Sequence, residues 1–446
     1  MDLPGVPSTL WSVLCAAAGS ERIALVGGAV RDWLLHRDHL DPWRGLVDLD
    51  LVIELAAAPG DGTAPAHPDR PEPPSPAWRF VERLAGRTDG VTLLRACPHG
   101  QYGTVEVELE LEVPPDLAGQ PTPASTRLLL DVASARGEGY PIPAENPVVR
   151  FGALEDDLAR RDLTINAMAI DLASGVLLDP HGGERDLARR CLRFLHPDSL
   201  RDDPSRLVRA ARYAARLGFE LATDSQSQAV STLTAWPWAW RAGDPPDQAP
   251  AALGTRLRRE VELLLERENW RLALGRLQEW GGLALLDPAL QADRHWPRRL
   301  FWALRFQVPL IVALIVVARD PLALAERLQL PHRHQRLLSQ FLALRPHLRP
   351  ASPFSAPGAA AAAEPADPWH WCQRLERPGL SPSAVALALA CGLGPRRPLL
   401  RWLLRWRHLG PERSAHDLMA SGVPKGPELG DALRRSRRER LERERG

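Results

Sequence analysis

Apolar and charged residues alternate strictly along TVEVELELEV (104–113), the pattern of a strand with one buried face. GLVDLDLVIE (45–54) has the same period, so Asp48 and Asp50 project to one side while Leu49 and Leu51 point to the other. RLLLDVASAR (127–136) predicts a further strand, carrying Asp131. RIALVGGAVRDWLL (22–35) reads as a short strand, a Gly-Gly turn and the start of an amphipathic helix. DLARRDLTINAMAID (157–171) predicts a helical turn whose arginines lie beside an apolar face. RDDPSRLVRAARYAARLGFE (201–220) opens a longer helix, with Asp203 as N-cap and Pro204 at the first helical position. From there on the pattern is almost wholly helical, and VPLIVALIVVA (308–318) predicts a buried helix. The fold class expected is α+β, with strands and helices mixed in the first part and helices alone after it.

Two segments interrupt the periodicity. Residues 56–76 are rich in Pro, Gly and Ala and predict a flexible insertion; residues 351–368 predict an inter-domain linker. A weaker break falls at 241–254. A chain of 446 residues is too long for one core, so several domains are expected.

Composition narrows the function by exclusion. The net charge of +1 gives no global basic field, so any nucleic-acid contact must come from local patches, and no DNA partner is expected. Five scattered cysteines predict no disulfide framework and a reducing cytoplasm. No signal peptide is visible, and the longest apolar run falls short of the ~18–20 residues that span a bilayer, so no membrane is expected. The only lysine is Lys425, which makes the basic complement almost entirely arginine.

Asp48 and Asp50 are the first chemical question. Adjacent buried carboxylates repel, and either a divalent cation or nearby arginines must compensate them. VGGAVRD (26–32) places two glycines where backbone N–H groups at a helix N-terminus can approach a phosphate, and Arg31 adds a cation; a plain tight turn uses the same residues. Arg160, Arg161, Asp162 and Asn166 suit a triphosphate and ribose, or a helix turn laced with i,i+4 ion pairs. Asp203 caps a helix, yet with Arg206 three residues on it also sets an acceptor beside a donor fork. Arg209 and Arg212 continue that stripe. RRPLLRWLLRWRHLGPER (396–413) is a basic helix with tryptophans, which suit either a core or RNA.

In order, GGAVRD, DLDLVIE, LDVASARGEGYPIPAENPVV, DLARRDLTINAMAIDL, LLDPHGGERDL and DDPSRLVRAARYAARLGFE resemble the class II tRNA nucleotidyltransferase/poly(A) polymerase family, of the polymerase-β-like superfamily. RLRREVELLL (256–265) and AHDLMASGVPKGPELGDAL (415–433) extend the likeness. The resemblance implies a nucleotidyltransferase head over 1–195, a helical neck and body over 196–350 for nucleotide selection and RNA binding, and a tRNA-binding tail over 369–446. It implies that Asp48 and Asp50 hold Mg²⁺, with Asp131 a candidate third carboxylate. Gly28 and Arg31 would bind phosphates, and Arg161, Asp162 and Asn166 the triphosphate and ribose. Asp203 and Arg206 would read the base, with Arg209 and Arg212 completing the pocket. The implied reaction adds C and/or A from CTP and ATP to the 3′ end of a tRNA acceptor arm without a nucleic-acid template.

The chain departs from the family pattern at Leu163 and Tyr213, where phenylalanine is common, and at Asp202, where glutamate is usual. The alternatives are a poly(A) polymerase, a CC-only or A-only enzyme, and a non-catalytic RNA-binding protein. HGQYGTVEVEL (99–109) lacks the arginine-rich stretch of poly(A) polymerases, and all four metal and base-reading residues are present.

Overall fold

The computed structural model describes residues 2–46, 48–55, 75–87, 90–99, 103–112, 125–350 and 367–443. The segments expected as insertion and linker lie outside the described residues, except for the last two residues of each.

The chain divides into two units. The first holds the sheet and runs to Ala239, with short returns at Pro250–Ala252 and Gly275–Trp280; the second takes the helical remainder. The architecture is α+β, as expected.

In the first unit, α1 (Ser8–Ala18), β1 (Arg22–Val26) and α2 (Gly28–His39) precede β2 (Leu49–Glu54) and α3 (Pro76–Ala85). Then come β3 (Val91–His99), β4 (Thr104–Glu112), β5 (Ser125–Ser134) and the hairpin β6 (Arg136–Gly139) and β7 (Val148–Phe151). After α4 (Leu154–Ala159) follow β8 (Ala169–Asp171), β9 (Leu177–Leu178) and α5 (Gly183–Ala188). The main sheet has the order β3-β4-β5-β2-β1-β8-β9. It is antiparallel throughout except where β2 runs parallel to β5, so it is mixed.

Alternation along β2 decides what covers each face. Leu49, Leu51 and Ile53 are fully buried on one side, and α3 packs across β2 to β5. On the other side Val52 joins Ala24, Val26, Leu154, Leu158 and Ala169 in a cluster beneath α4. Asp50 projects on this second face, one step before the cluster. Burying one such aliphatic side chain contributes about 1.5–3 kcal/mol, so a one-residue slip of β2 is strongly disfavoured and Asp50 has a fixed position.

The expectation for 157–171 is corrected. The helix ends at Ala159, Leu163 is extended (φ −131°, ψ 145°), a 3₁₀ turn covers Thr164–Asn166, and Ala169–Asp171 is a strand paired with β1. The cause is local. The Asp162 carboxylate accepts the Leu163 N–H (2.8 Å) and the Asn166 amide (3.2 Å), an aspartate-directed turn that competes with helix propagation. The apolar residues beyond it then fit a strand edge.

Two helical expectations also change. Within 308–318 only Leu310–Ile315 is α-helical, with Ile311 to Ile315 all buried. In 396–413 the helix is Arg396–Leu404, followed by a 3₁₀ turn at Trp406–His408. Trp402 and Trp406 are buried in the second unit, and the Trp402 indole donates to Glu376 (3.1 Å). These tryptophans are core, while Arg401, Arg405 and Arg407 stay exposed. All five cysteines are unpaired, and among the described residues no helix is long and apolar enough to cross a membrane.

Candidate active site

Asp50 lies directly beside Asp131, its register partner on β5, and Asp131 in turn faces Glu106 on β4. Asp48 is exposed one residue before β2. Burial raises the Asp50 carboxyl to about 6; Arg161 opposes this, while Asp48, Asp131 and Asp157 add to it. Asp131 is also raised, by burial and then by Asp48 and Glu106, against a smaller pull from His99. The cluster therefore carries more negative charge than its one arginine neutralises. Its donors are all carboxylate oxygens, the type that suits a hard divalent cation, although among the described residues no three such side chains are already arranged to hold a metal ion.

The turn after β1 closes over this cluster. Gly27 has φ +72°, and a Cβ there would lie 3.0 Å from Arg161 Nη1 and 3.1 Å from Asp50 Oδ2. Its N–H donates to the Met168 carbonyl (3.3 Å), anchoring the turn to the segment before β8. Gly28 opens α2, where a Cβ would touch Arg31 Nη2 at 3.5 Å. Gly27→Ala combines a left-handed backbone with close approach to both charged groups. We expect it to lower activity by about 100-fold or more, since a displacement of about 1 Å at reacting groups costs that much. Single-turnover rates beside a melting curve test this; an active, folded variant would contradict it.

Arg31 is fully buried. It donates from Nε and Nη2 to both oxygens of Asp32 (2.9 Å each) and from Nη1 to Asn166 Oδ1 (2.7 Å), and its guanidinium lies 5.0 Å from the Tyr213 ring centre. As placed, its fork faces these partners. Asn166 passes the linkage to Asp162, whose other oxygen lies 3.6 Å from Arg209 Nη1. Burial works against the Asp162 carboxylate, but Arg209, Asn166, Arg206 and the Leu163 amide outweigh it and hold its pKa low.

Arg160 and Arg161 share one partner. Asp157, fully buried, accepts from Arg160 (2.6 Å) and Arg161 (2.9 Å), the i,i+3 and i,i+4 pairs the spacing allowed. Arg160 also reaches Glu138 on β6 (3.1 Å), a tie with no signal in the sequence. The LLDPHGGERDL motif is a buttress: Asp179 accepts the Gly183 and Glu184 N–H groups, and buried Asp186 accepts the Thr164 hydroxyl (2.7 Å).

Beyond α6 (Ser199–Asp202), α7 (Ser205–Leu217) carries the arginine stripe. The capping expectation is corrected: the helix begins at Ser205 with Pro204 at its N-cap, one position later than the sequence implied, while the extended Asp203 (φ −145°, ψ 94°) still accepts the Ser205 N–H (3.0 Å) and hydroxyl (2.6 Å) through Oδ1. Arg206 donates from Nη2 to the Arg160 carbonyl (3.0 Å). Its Nη1 lies 3.5 Å from His196 Nε2, and its guanidinium 5.9 Å from the Tyr140 ring centre. Asp203 and Arg206 are both buried; Arg209 and Arg212 are half-buried on the same stripe.

The structure thus gathers Gly28, Asp50, Arg161 and Asp131 around the turn, with Asp48 alongside. Arg31, Asn166, Asp162 and Arg209 form a chain from there to α7, and Arg160 links it to Arg206.

Comparisons with known proteins give these contacts a context. Residues 118–193 match the poly A polymerase head domain. The CC-adding tRNA nucleotidyltransferase of Deinococcus radiodurans is 34% identical over 336 residues, 73% of this chain and 72% of that protein. The A-adding tRNA nucleotidyltransferase of Halalkalibacterium halodurans is 42% identical over 213 residues, 47% of this chain but only 39% of that protein. Among solved structures, a CCA-adding enzyme in an apo form aligns with a TM-score of 0.63 at 21% identity, over 98% of this chain and 92% of that one, which is a likeness of fold.

Proposed function

The chain belongs to the class II tRNA nucleotidyltransferase/poly(A) polymerase family, and on that premise we propose that it adds C and/or A from CTP and ATP to the 3′ end of tRNA, choosing the base without a nucleic-acid template. The observation that carries the reading is the under-neutralised Asp48–Asp50–Asp131 cluster pressed against the Gly27 turn and Arg161.

The family's divalent metal is taken here to be Mg²⁺, held by Asp48 and Asp50 with Asp131 as a third carboxylate. When bound, it acidifies the RNA 3′-hydroxyl and neutralises charge on the triphosphate and departing pyrophosphate. The protein's own groups do the placing. The N–H groups at the start of α2 and the Arg161 guanidinium receive phosphate oxygens. Asp162 and Asn166 hold the ribose from the 3₁₀ turn, and Arg31 keeps Asn166 in place (2.7 Å). Holding both reactants in line supplies much of the rate enhancement in phosphoryl transfer. Asp203 and Arg206 present an acceptor and a donor to the base edge, and a base that leaves them unpaired is rejected. Arg209 and Arg212 complete the pocket. The head, 1–195, performs the transfer; the neck and body, 196–350, and the tail, 369–446, hold the acceptor arm, in the cytoplasm.

A second reading has specific support: the two relatives compared above are named CC-adding and A-adding, so this chain is equally suited to one half of a divided reaction. The test supplies each labelled NTP with Mg²⁺ to tRNA lacking CCA, tRNA ending in CC, and an unrelated RNA. C then A on the tRNAs alone gives a complete enzyme; C alone, or A only on the CC end, gives half of a pair. Repeated A on any RNA gives a poly(A) polymerase. No incorporation by folded protein defeats the catalytic reading.

A further inference from the structure

The base-reading role of Arg206 raises a question of aim. A guanidinium has five N–H donors in a rigid fork, and reading a base edge requires that fork to be held from behind. Two supports are visible. The Arg160 carbonyl accepts from Nη2 at 3.0 Å, and that backbone is fixed because the Arg160 side chain is clamped by Asp157 and Glu138. The other support is His196 Nε2, 3.5 Å from Nη1. Among the described residues these two contacts engage Nη1 and Nη2 of the fork.

His196 is built to be stationary. Its N–H donates to Ser199 Oγ (3.2 Å), and its carbonyl accepts the Gln228 amide (3.0 Å), so its backbone is gripped on both sides. The side chain is half-buried, and the charged groups facing it are Arg206 on α7, His181 in the loop before α5, and Asp198 on its own loop. Burial, then Arg206, and more weakly His181, hold its pKa below the ordinary 6.5, with Asp198 opposing. The ring is therefore neutral at pH 7 and able to accept at Nε2 with its proton on Nδ1.

Resting on the proposed nucleotidyl transfer, we propose that His196 is a positioning residue for base selection: as a neutral acceptor it fixes the Arg206 fork from the side away from the base. Protonation would remove the acceptor and set a second cation beside Arg206. His196 touches no reacting atom, so its loss should weaken binding and discrimination of the nucleotide and leave the chemical step nearly intact.

The test compares His196→Ala, His196→Gln and Arg206→Ala with the parent protein, all full length and checked by melting curve. The correct nucleotide, CTP or ATP as established for the parent, is measured for KM and kcat, and UTP and GTP for misincorporation. His196→Ala should raise KM by about five- to tenfold, the scale of one lost hydrogen bond of ordinary strength, as suits a 3.5 Å contact, with kcat within about twofold. Glutamine offers an acceptor without a proton to gain, so His196→Gln should stay within about twofold of the parent at pH 8. The ratio of correct to incorrect kcat/KM is then followed from pH 8 down to 5.5; this ratio cancels titration of the carboxylate cluster, which affects every nucleotide alike. It should fall in the parent and stay level in His196→Gln. An unchanged KM in folded His196→Ala, or a glutamine variant that falls as the parent does, overturns the proposal. If Arg206→Ala leaves discrimination intact, it is the base-reading role of Arg206 that fails.

Discussion

Asp50→Asn is expected to abolish nucleotide incorporation, by at least about 1,000-fold, while raising the melting temperature of the metal-free protein at pH 8. The two effects share one cause. Asp50 lies beside Asp131 and near Asp48, with Arg161 opposing them, and burial raises its carboxyl from 3.8 to about 6. A carboxyl whose folded pKa is raised contributes stability that is fully present below its unfolded pKa and lost as pH rises through the folded value. Above pH 6 the folded chain therefore bears the strain of a half-enclosed negative cluster, on the order of 3 kcal/mol. Asparagine keeps the shape and discards the charge, so its advantage should be full at pH 8 and vanish near pH 4. The measurement is a pair of melting curves in chelator at those two pH values. Divalent cation should then stabilise the parent more than the variant, because binding to the folded form alone adds to stability. A variant that melts below the parent at pH 8 in chelator would mean that Asp50 is held by bonds specific to its charge, and the cation reading of the cluster would fail with it.

That this cluster was visible in sequence follows from the strand period. A spacing of two sets Asp48 and Asp50 toward one side, with Leu49 and Leu51 marking the buried face, although β2 begins only at Leu49 and Asp48 lies exposed just before it. The arginine stripe on α7 was legible for the same reason, since residues three apart on a helix share a face. The segment 157–171 was not: its apolar residues suit a helix face or a strand edge, and the choice was made by the Asp162 side chain bonding to Leu163 and Asn166. Periodicity records which residues are buried and is silent about such side-chain turns. Glu138 and His196 were invisible for another reason. Each acts on a residue beyond strand or helix spacing, Glu138 on Arg160 at 3.1 Å and His196 on Arg206 at 3.5 Å, and periodicity does not encode those contacts. The tryptophans of 396–413 show the converse: their spacing left core and RNA both open, and burial of Trp402 and Trp406 decided for the core.

Asp203 holds two functions in one carboxylate, and substitutions should separate them. Oδ1 accepts the N–H and hydroxyl of Ser205, the first residue of α7 after the Pro204 N-cap, and so helps to set the start of the helix that carries Arg206, Arg209 and Arg212. The proposed second function is to accept from the amino group shared by C and A. Asp203→Ala removes both, and should cost about 1 kcal/mol of stability along with base selectivity. Asp203→Ser restores a capping oxygen but is too short and too weak an acceptor to meet a base. Its stability should recover to within a few tenths of a kcal/mol of the parent, while discrimination of correct nucleotides against UTP and GTP stays lost by about 10- to 100-fold. Melting curves and competitive incorporation on the same protein samples read the two effects independently. If serine restores selectivity together with stability, Asp203 acts on the nucleotide only by seating the helix, and the burden of base reading falls on Arg206 alone.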